Sequence, residues 1–466
     1  MGIASTLFYN SNDPNKQSLH RRIRPSEEQF NEQQARWNEL AEYLTKDLKE
    51  RSGYSIRTWL QGSYKFATQI RPSKKGNEFD IDLGVYYQWS GEPDDGQHTP
   101  KTLKTMVQES LVAYSPEEVT EVVIPPKTRC SRIRFKGDFH IDIPSYHLNP
   151  EADTRALTTE KNLWEYSDPK ALYIWFTNRF EDYKREKVRR LVRYLKCWIG
   201  LKFEDGPDRP SSTLLTVLVA DAVKDIPADK MVADDEAVLA VLEKIIGRLN
   251  RDSKVVNPVD TSEVLSDRLT PPAYTDFIEK LSTFRSIATN ALSCETVLAA
   301  ADYWTEAFEQ FFPLPDTEEI AKSIQDKTLL PVPLYIPDVM VRAVSKDNPS
   351  LSWNGKNRVG PIPKNCKIFF SVTNSTALPY DSTIEWMVRN EGDEAENIND
   401  LGHKAGKGLN AEESSAYTGT HYMDCVVKQY GQPISMRRTS VEVSGPPILH
   451  RKSKKKPFWR SLPGRR

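Results

Sequence analysis

Two short stretches of this chain set carboxylates inside apolar runs. Residues 79–87 read Phe-Asp-Ile-Asp-Leu-Gly-Val-Tyr-Tyr, and residues 139–144 read Phe-His-Ile-Asp-Ile-Pro. On a strand Asp80 and Asp82 project from one face, while Ile81 and Leu83 enter a core on the other. Carboxylates held side by side repel unless cations or protons intervene, and a pair of Mg²⁺ ions is the common resolution where phosphates are handled. The Asp-x-Asp pair alone does not separate this chemistry from a sheet face carrying two solvated acids. In the second stretch His140 and Asp142 share one face, and Ile141 and Ile143 the other. If the two strands are neighbours, three carboxylates converge on one side of a sheet; a strand-end acid is the plainer reading of Asp142. Upstream, Gly62-Ser63 supplies a complementary half: glycine permits close backbone approach, and N–H groups with a serine hydroxyl grip phosphate oxygens. A lone Gly-Ser is otherwise an ordinary turn.

The elements that must position these residues follow from periodicity. Residues 25–50 predict a long helix with Pro25 in its first turn and an apolar stripe of Trp37, Leu40, Leu44 and Leu48. Strands are predicted over 54–60, 79–87, 119–124, 131–135 and 139–143, with a helix over 102–114. From about residue 169 the pattern turns helical: 184–203, 214–223, 235–249, 274–292 and 295–312. On 184–203, Arg189, Arg193 and Lys196 form a basic stripe beside the apolar one; a solvated face is the plainer reading of Arg189. A proline-rich linker (LLPVPLYIPD) marks a boundary, and strands over 366–374, 383–390, 417–429 and 435–443 predict a small β domain. The link 71–77, which contains Arg71, Lys74 and Lys75, reads as a wet loop between Ser63 and Asp80.

The 466 residues allow two or three domains, and a net charge of −1 argues against a chain built to package nucleic acid. The five cysteines are scattered without a CxxC pair, which predicts a reduced, cytoplasmic protein with no zinc cluster. No segment is long and apolar enough to predict a membrane span.

Taken together, QGSY (61–64), FDIDLGVY (79–86) and HIDIPSY (140–146) resemble the signature of the polymerase-β-like nucleotidyltransferases, and more closely the bacterial cGAS/DncV-like nucleotidyltransferases, or CD-NTases. WEYSDPKALYIWF (164–176), RLVRYLKCW (190–198) and RPSSTLLTVL (209–218) extend the resemblance over roughly residues 20–325. It implies an α+β fold with a polymerase-β-like core and a helical lobe, plus a small C-terminal β-rich domain. The expected division is 1–168 for the core with its N-terminal helix, 169–328 for the helical lobe, 329–449 for the β-rich domain and 450–466 for a basic tail. Carried over by position, Asp80, Asp82 and Asp142 are the catalytic metal ligands for two Mg²⁺ ions, with Mn²⁺ as an alternative. Gly62, Ser63, Lys196, Ser211, Ser212 and Arg193 are the nucleotide-binding set.

The C-terminal segment resembles the AGS-C sensor domain through WMVRNEG (386–392) and YTGTH (417–421). That implies a regulatory ligand, with Trp386, His403 and His421 as candidate contacts. The function implied is synthesis of a cyclic di- or trinucleotide second messenger from ATP, with GTP or other NTPs as alternatives, releasing pyrophosphate. The messenger would activate a downstream effector in CBASS-type antiphage signalling, with an accessory protein as a further partner. Two alternatives stand beside it: a linear oligonucleotide synthase or other nucleotidyltransferase of the superfamily, and a catalytically silent nucleotide sensor.

Overall fold

The computed structural model describes residues 2–13, 16–74, 76–315 and 335–445. Lys75, the first part of the proline-rich linker and the basic tail lie outside the described residues.

Two short helices, α1 (Ser5–Phe8) and α2 (Leu19–Arg22), precede the long α3 (Glu27–Ser52). The start of α3 is a capping box: Ser26 Oγ accepts from the Gln29 N–H at 3.1 Å, and Gln29 Oε1 accepts from the Ser26 N–H at 3.0 Å. Pro25 therefore stands outside the helix rather than in its first turn.

An eight-stranded mixed sheet follows: β1 (Ser55–Gln61), β2 (Phe79–Gln88), β3 (Val119–Val122), β4 (Ser131–Phe135), β5 (Phe139–Ile143), β6 (Ser145–Asn149), β7 (Thr154–Thr158) and β8 (Trp164–Tyr166). Helix α4 (Gly62–Lys65) caps the end of β1, and α5 (Pro100–Ala113) connects β2 to β3. Strand β2 organises the sheet. β1 runs antiparallel along one edge, while β5 and then β6 run parallel along the other, in one register that places Asp82 opposite Asp142 and Val85 opposite Ser145. Ile81, Leu83, Ile141 and Ile143 are buried against Leu40, Leu44 and Leu48 of α3 and Leu103, Val107 and Leu111 of α5. Strands β6 and β7 escaped sequence reading although Ser-Tyr-His-Leu-Asn of β6 alternates polar and apolar residues; Pro144 alone separates β6 from β5, and Thr-Arg-Ala-Leu-Thr of β7 does not alternate.

The helical lobe comprises α6 (Pro169–Asn178), α7 (Asp182–Lys202), α8 (Ser212–Lys224), α9 (Asp234–Arg251), a ribbon of β9 (Val256–Asn257) and β10 (Asp260–Val264), α10 (Pro271–Ser293) and α11 (Val297–Phe308). Phe8 from α1 plugs its core, edge-on to Tyr194, Trp304, Phe308 and Phe312 with ring centroids 4.7–5.8 Å away.

The C-terminal unit is a β-sandwich. One sheet orders β12 (Ser352–Lys356), β11 (Val339–Ser345), β14 (Cys366–Val372) and β17 (Asn410–Ser414). The other orders β13 (Arg358–Ile362), β19 (Gln432–Val443), β18 (Gly419–Gln429), β15 (Ser382–Arg389) and β16 (Gly402–Lys407), with the short α12 (Asp393–Asn397) between β15 and β16. The sandwich docks on the rest of the molecule. Leu401, Val426 and Met436 join the core of the helical lobe, and Arg22 donates to the carbonyls of Leu401 (2.9 Å) and Gln310 (3.2 Å).

Candidate active site

The parallel pairing of β2 with β5 sets Asp80 beside His140 and Asp82 beside Asp142. Asp80, Asp82 and Asp142 thus share one face of adjacent strands, as the alternation required. His140 hydrogen-bonds Glu78 through Nδ1 and Asp80 through Nε2, each at 2.8 Å. Both ring nitrogens are committed to carboxylates, so His140 orients Asp80 and is not a free ligand.

Asp82 lies directly beneath Gly62. A Cβ at Gly62 would stand 1.9 Å from Asp82 Oδ2, and Gly62 holds φ +55°. Glycine is required there twice over, by the left-handed backbone and by the carboxylate it covers. Loss of water around Asp82, then the charges of Asp80 and Asp142, push its carboxyl well above the usual carboxylate range, against the pull of Lys196 and Arg132.

Asp142 is held by cations. Arg132, its cross-strand neighbour on β4, binds it through Nε at 2.5 Å and through a terminal nitrogen at 2.8 Å, and Lys127 Nζ lies 3.2 Å away. Burial alone would raise the Asp142 pKa; the Arg132 hydrogen bonds and charge, with Lys127, outweigh it and hold the carboxyl below its ordinary value. Arg132 was missed in the sequence, although the alternation Ser-Arg-Ile-Arg-Phe puts Arg132 and Arg134 on one face of a strand that had been read correctly.

Lys196 reaches the same cleft from α7. It is 8% exposed, donates to the Thr68 carbonyl at 3.0 Å, and is drawn down from its ordinary pKa to about 8 by burial, with Asp80 and Asp82 opposing. Ser211 accepts from the Leu214 N–H at 3.2 Å as the N-cap of α8, so its place at the cleft wall is set by the helix start. Ser63, Asp80, Lys196, Ser211 and Ser212 line both lobes of a two-lobed cleft, with cavities of about 720 and 800 Å³. The larger lobe also contains Gly62, Asp82 and Asp142, and the smaller one Arg132 and Arg209.

Arg193 does not reach the cleft. Its guanidinium turns the other way, binding the Ala67 carbonyl and, at 3.0 Å, His20 Nε2, so it pins the backbone between α4 and β2. Nor is the 71–77 link a wet loop. Arg71 is 3% exposed and binds the Glu396 carbonyl (2.5 Å) and Asn399 Oδ1 (3.3 Å) of the β-sandwich. Lys74 pairs with Glu204 at 2.7 Å, and Asn77 donates to Asp205 at 3.0 Å. In the sandwich, Trp386 is core, donating to the Gly408 carbonyl at 2.7 Å, whereas His403 and His421 line a separate cavity.

A divalent cation fits this donor set. Asp80 and Asp142 offer carboxylate oxygens within 4.8 Å of each other, with the His140 ring between Asp80 and Glu78. Asp82 stands beside Asp142 across the β2–β5 pairing and adds a third carboxylate of the hard oxygen type that Mg²⁺ takes, while Arg132 and Lys127 hold Asp142 ionised.

The profile of the cyclic GMP-AMP synthase DncV-like nucleotidyltransferase domain matches residues 56–146, and that of the adenylyl/guanylyl and SMODS C-terminal sensor domain matches residues 318–444. A cyclic GMP-AMP synthase of Escherichia albertii is 29% identical over 462 residues, covering 98% of this chain and 99% of that protein. A c-di-GMP synthase of Roseivirga ehrenbergii is 27% identical over 49% of this chain and 65% of its own length. The crystal structure of Vibrio cholerae DncV cyclic AMP-GMP synthase superposes with a TM-score of 0.56 at 20% identity, covering 68% of this chain and 99% of that one. A point mutant of the Vibrio cholerae di-nucleotide cyclase (DncV), solved in complex with ATP, GTP and 5MTHFGLU2, superposes with a TM-score of 0.55 at 20% identity over 66% of this chain and 96% of that one.

Proposed function

This chain belongs to the bacterial cGAS/DncV-like nucleotidyltransferases and carries a C-terminal AGS-C sensor domain, and from that premise we propose how its cleft makes a cyclic dinucleotide. The enzyme is a nucleotidyltransferase, and its product is a cyclic dinucleotide second messenger made from NTPs. The observation that carries the reading is the placement of Asp80, Asp82 and Asp142 on one face of β2 and β5, with Asp82 under Gly62, lining a cleft lobe in the size range of a nucleotide-scale ligand.

The substrates are ATP and GTP, one seated as donor and the other as acceptor. Gly62 lets the donor triphosphate approach the strand ends, Ser63 offers it a hydroxyl, and Lys196 sets a positive charge against it. Ser211 and Ser212 close the far wall. Asp80 and Asp82 face the α-phosphate with Asp142 beside them. Asp142 is the base-like group nearest the acceptor, its carboxylate kept ionised by Arg132. The acceptor ribose oxygen forms a bond to the α-phosphorus as the bond to the pyrophosphate oxygen breaks, and a second round closes the ring. Two Mg²⁺ ions held by Asp80, Asp82 and Asp142 would neutralise the developing charge and acidify the attacking hydroxyl. The protein's own contribution is positioning and preorganised electrostatics.

No helix among the described residues is long and apolar enough to cross a membrane. The further reading is a cytoplasmic enzyme in CBASS-type antiphage signalling, with an effector that responds to the product, an accessory protein, and a regulatory ligand on the sensor domain. The test is incubation of the chain with ATP, GTP and Mg²⁺, followed by phosphatase treatment and mass spectrometry. A phosphatase-resistant cyclic product that disappears in Asp82→Asn supports the reading. Phosphatase-sensitive ladders would make it a linear synthase, and turnover unaffected by Asp82→Asn would remove the carboxylates from the mechanism.

A further inference from the structure

A second cavity, of about 210 Å³, lies inside the β-sandwich between Phe370 of one sheet and Val388, Met423 and Val441 of the other. Its polar rim comes from Asn390 and Asp400 between β15 and β16, Glu413 of β17, Tyr417 before β18 and His421 of β18. His403, half exposed, hydrogen-bonds Glu413 Oε1 at 2.8 Å beside it. Three properties of this cavity restrict what it accepts.

First, it is smaller than the roughly 300 Å³ at which sites for drug-sized ligands begin, so it has room for a ring system and not for a whole nucleotide. Second, no Lys or Arg lines it, while Asp400 and Glu413 do, so nothing there would compensate a phosphate. Third, its buried polar group without a partner is an acceptor. His421 is 8% exposed, and its Nε2 lies 2.9 Å from the Tyr417 carbonyl, so Nε2 must carry the proton. Nδ1 is then a bare acceptor, and it is buried with no partner. An orphaned acceptor beside two carboxylates calls for N–H donors.

The wall of this cavity is also the grip on the active-site loop. Asp400 accepts from Tyr417 Oη at 2.7 Å through its side chain and from Asn390 Nδ2 at 3.0 Å through its carbonyl. Its neighbour Asn399, with Glu396 of α12, holds Arg71, which lines the smaller lobe of the catalytic cleft.

We infer that the inter-sheet cavity is a regulatory site for a nucleobase-sized heterocycle, rich in N–H donors and free of phosphate, whose occupancy is read at the active site through residues 390–400 and Arg71. The binding half stands apart from the catalytic reading; the regulatory half rests on it.

The test uses the full chain and 2-aminopurine, whose fluorescence is quenched on burial, with adenine as competitor and AMP as the phosphate-bearing control. Saturable quenching is expected, displaced by adenine and at least about tenfold less well by AMP. His421→Leu should weaken binding about tenfold through the lost acceptor, and Met423→Trp should abolish it by filling the space. Circular dichroism and thermal melting establish that each variant is folded. Asp82→Asn should bind as wild type, which separates this cavity from the catalytic cleft. Hydrogen exchange on the wild-type chain should slow over residues 390–402 when the base is added, a readout that needs no variant. Asn399→Ala should keep the binding and lose the change in product formation that the base produces in wild type.

Absence of saturable binding by either base, equal competition by AMP, or loss of binding in Asp82→Asn would overturn the site. Binding with no effect on turnover would overturn the coupling. Binding by a chain that makes no product would leave the site standing and refute the catalytic reading instead.

Discussion

At the scale of single residues, Gly62 carries two constraints at once. Its φ of +55° suits glycine, and a Cβ would enter the Asp82 carboxylate at 1.9 Å. Gly62→Ala is therefore expected to fold, at a cost of about 1 kcal/mol for the left-handed backbone, yet to lose roughly 100-fold in kcat because Asp82 must move. Steady-state kinetics beside a denaturant melt would check both parts, and wild-type kcat would mean Asp82 is not where the chemistry happens. Lys196 makes a different case. Its ammonium is enclosed, donates to the Thr68 carbonyl and is drawn down by burial to a pKa of about 8. Lys196→Met removes a charged phosphate contact worth about 1.5–3 kcal/mol, which is expected to raise the NTP KM roughly 10- to 100-fold. An unchanged KM would reduce Lys196 to a loop anchor. The shared face of Asp80, Asp82 and Asp142 was legible in the sequence, because strand alternation fixes which face a residue takes. Arg193 was not legible: helical periodicity locates a side chain on a helix but does not say which neighbour that side faces.

At the scale of elements, the start of α8 joins architecture to binding. Ser211 caps the helix through the Leu214 N–H while lining both cleft lobes. Ser211→Ala is expected to cost about 1 kcal/mol of stability, whatever else it does. Ser211→Asp should keep the cap and so the stability, while its carboxylate repels a triphosphate and raises the NTP KM. Thermal melts and KM measured on the two variants decide the matter; an Asp variant with normal KM would leave Ser211 a cap and nothing more. The strands that carry the carboxylates were visible because each is buried on one face or bounded by turns. β7 was not, since Thr-Arg-Ala-Leu-Thr does not alternate, and β6, which does, was hidden by lying one proline beyond β5.

At the scale of the whole molecule, the sensor domain is fastened by a buried charge cluster. Asp424 is fully buried and accepts from Arg389 at 2.8 Å and Arg438 at 2.9 Å, and the same arginines reach the carbonyls of Gln310 and Leu314 beyond the sandwich. Removing one partner of such a cluster leaves uncompensated charge, so Asp424→Asn is expected to destabilise the chain by about 3–5 kcal/mol. The pH dependence has a definite sign. Burial would raise the Asp424 pKa, but Arg438 and Arg389 hold it below the ordinary carboxylate value. Its contribution is then full above the unfolded pKa of about 3.9 and is lost only as pH falls through the lower folded value. The deficit of Asp424→Asn relative to wild type should stay constant from about pH 5 to 8 and shrink only in acid; a deficit that varied across neutral pH would point to another group. The sequence by itself determined the carboxylate face, the Gly62-Ser63 turn and the succession of sheet, helices and a β-rich domain, because all of these are written in local periodicity and short motifs. Only the tertiary structure decided that Arg132 neutralises Asp142, that Arg193 props a loop, and that Arg71, at the start of the 71–77 link, is held by a sandwich more than 300 residues further along the chain. Those are contacts between distant segments, and a charge in a sequence carries no sign of the partner it will meet once both are buried.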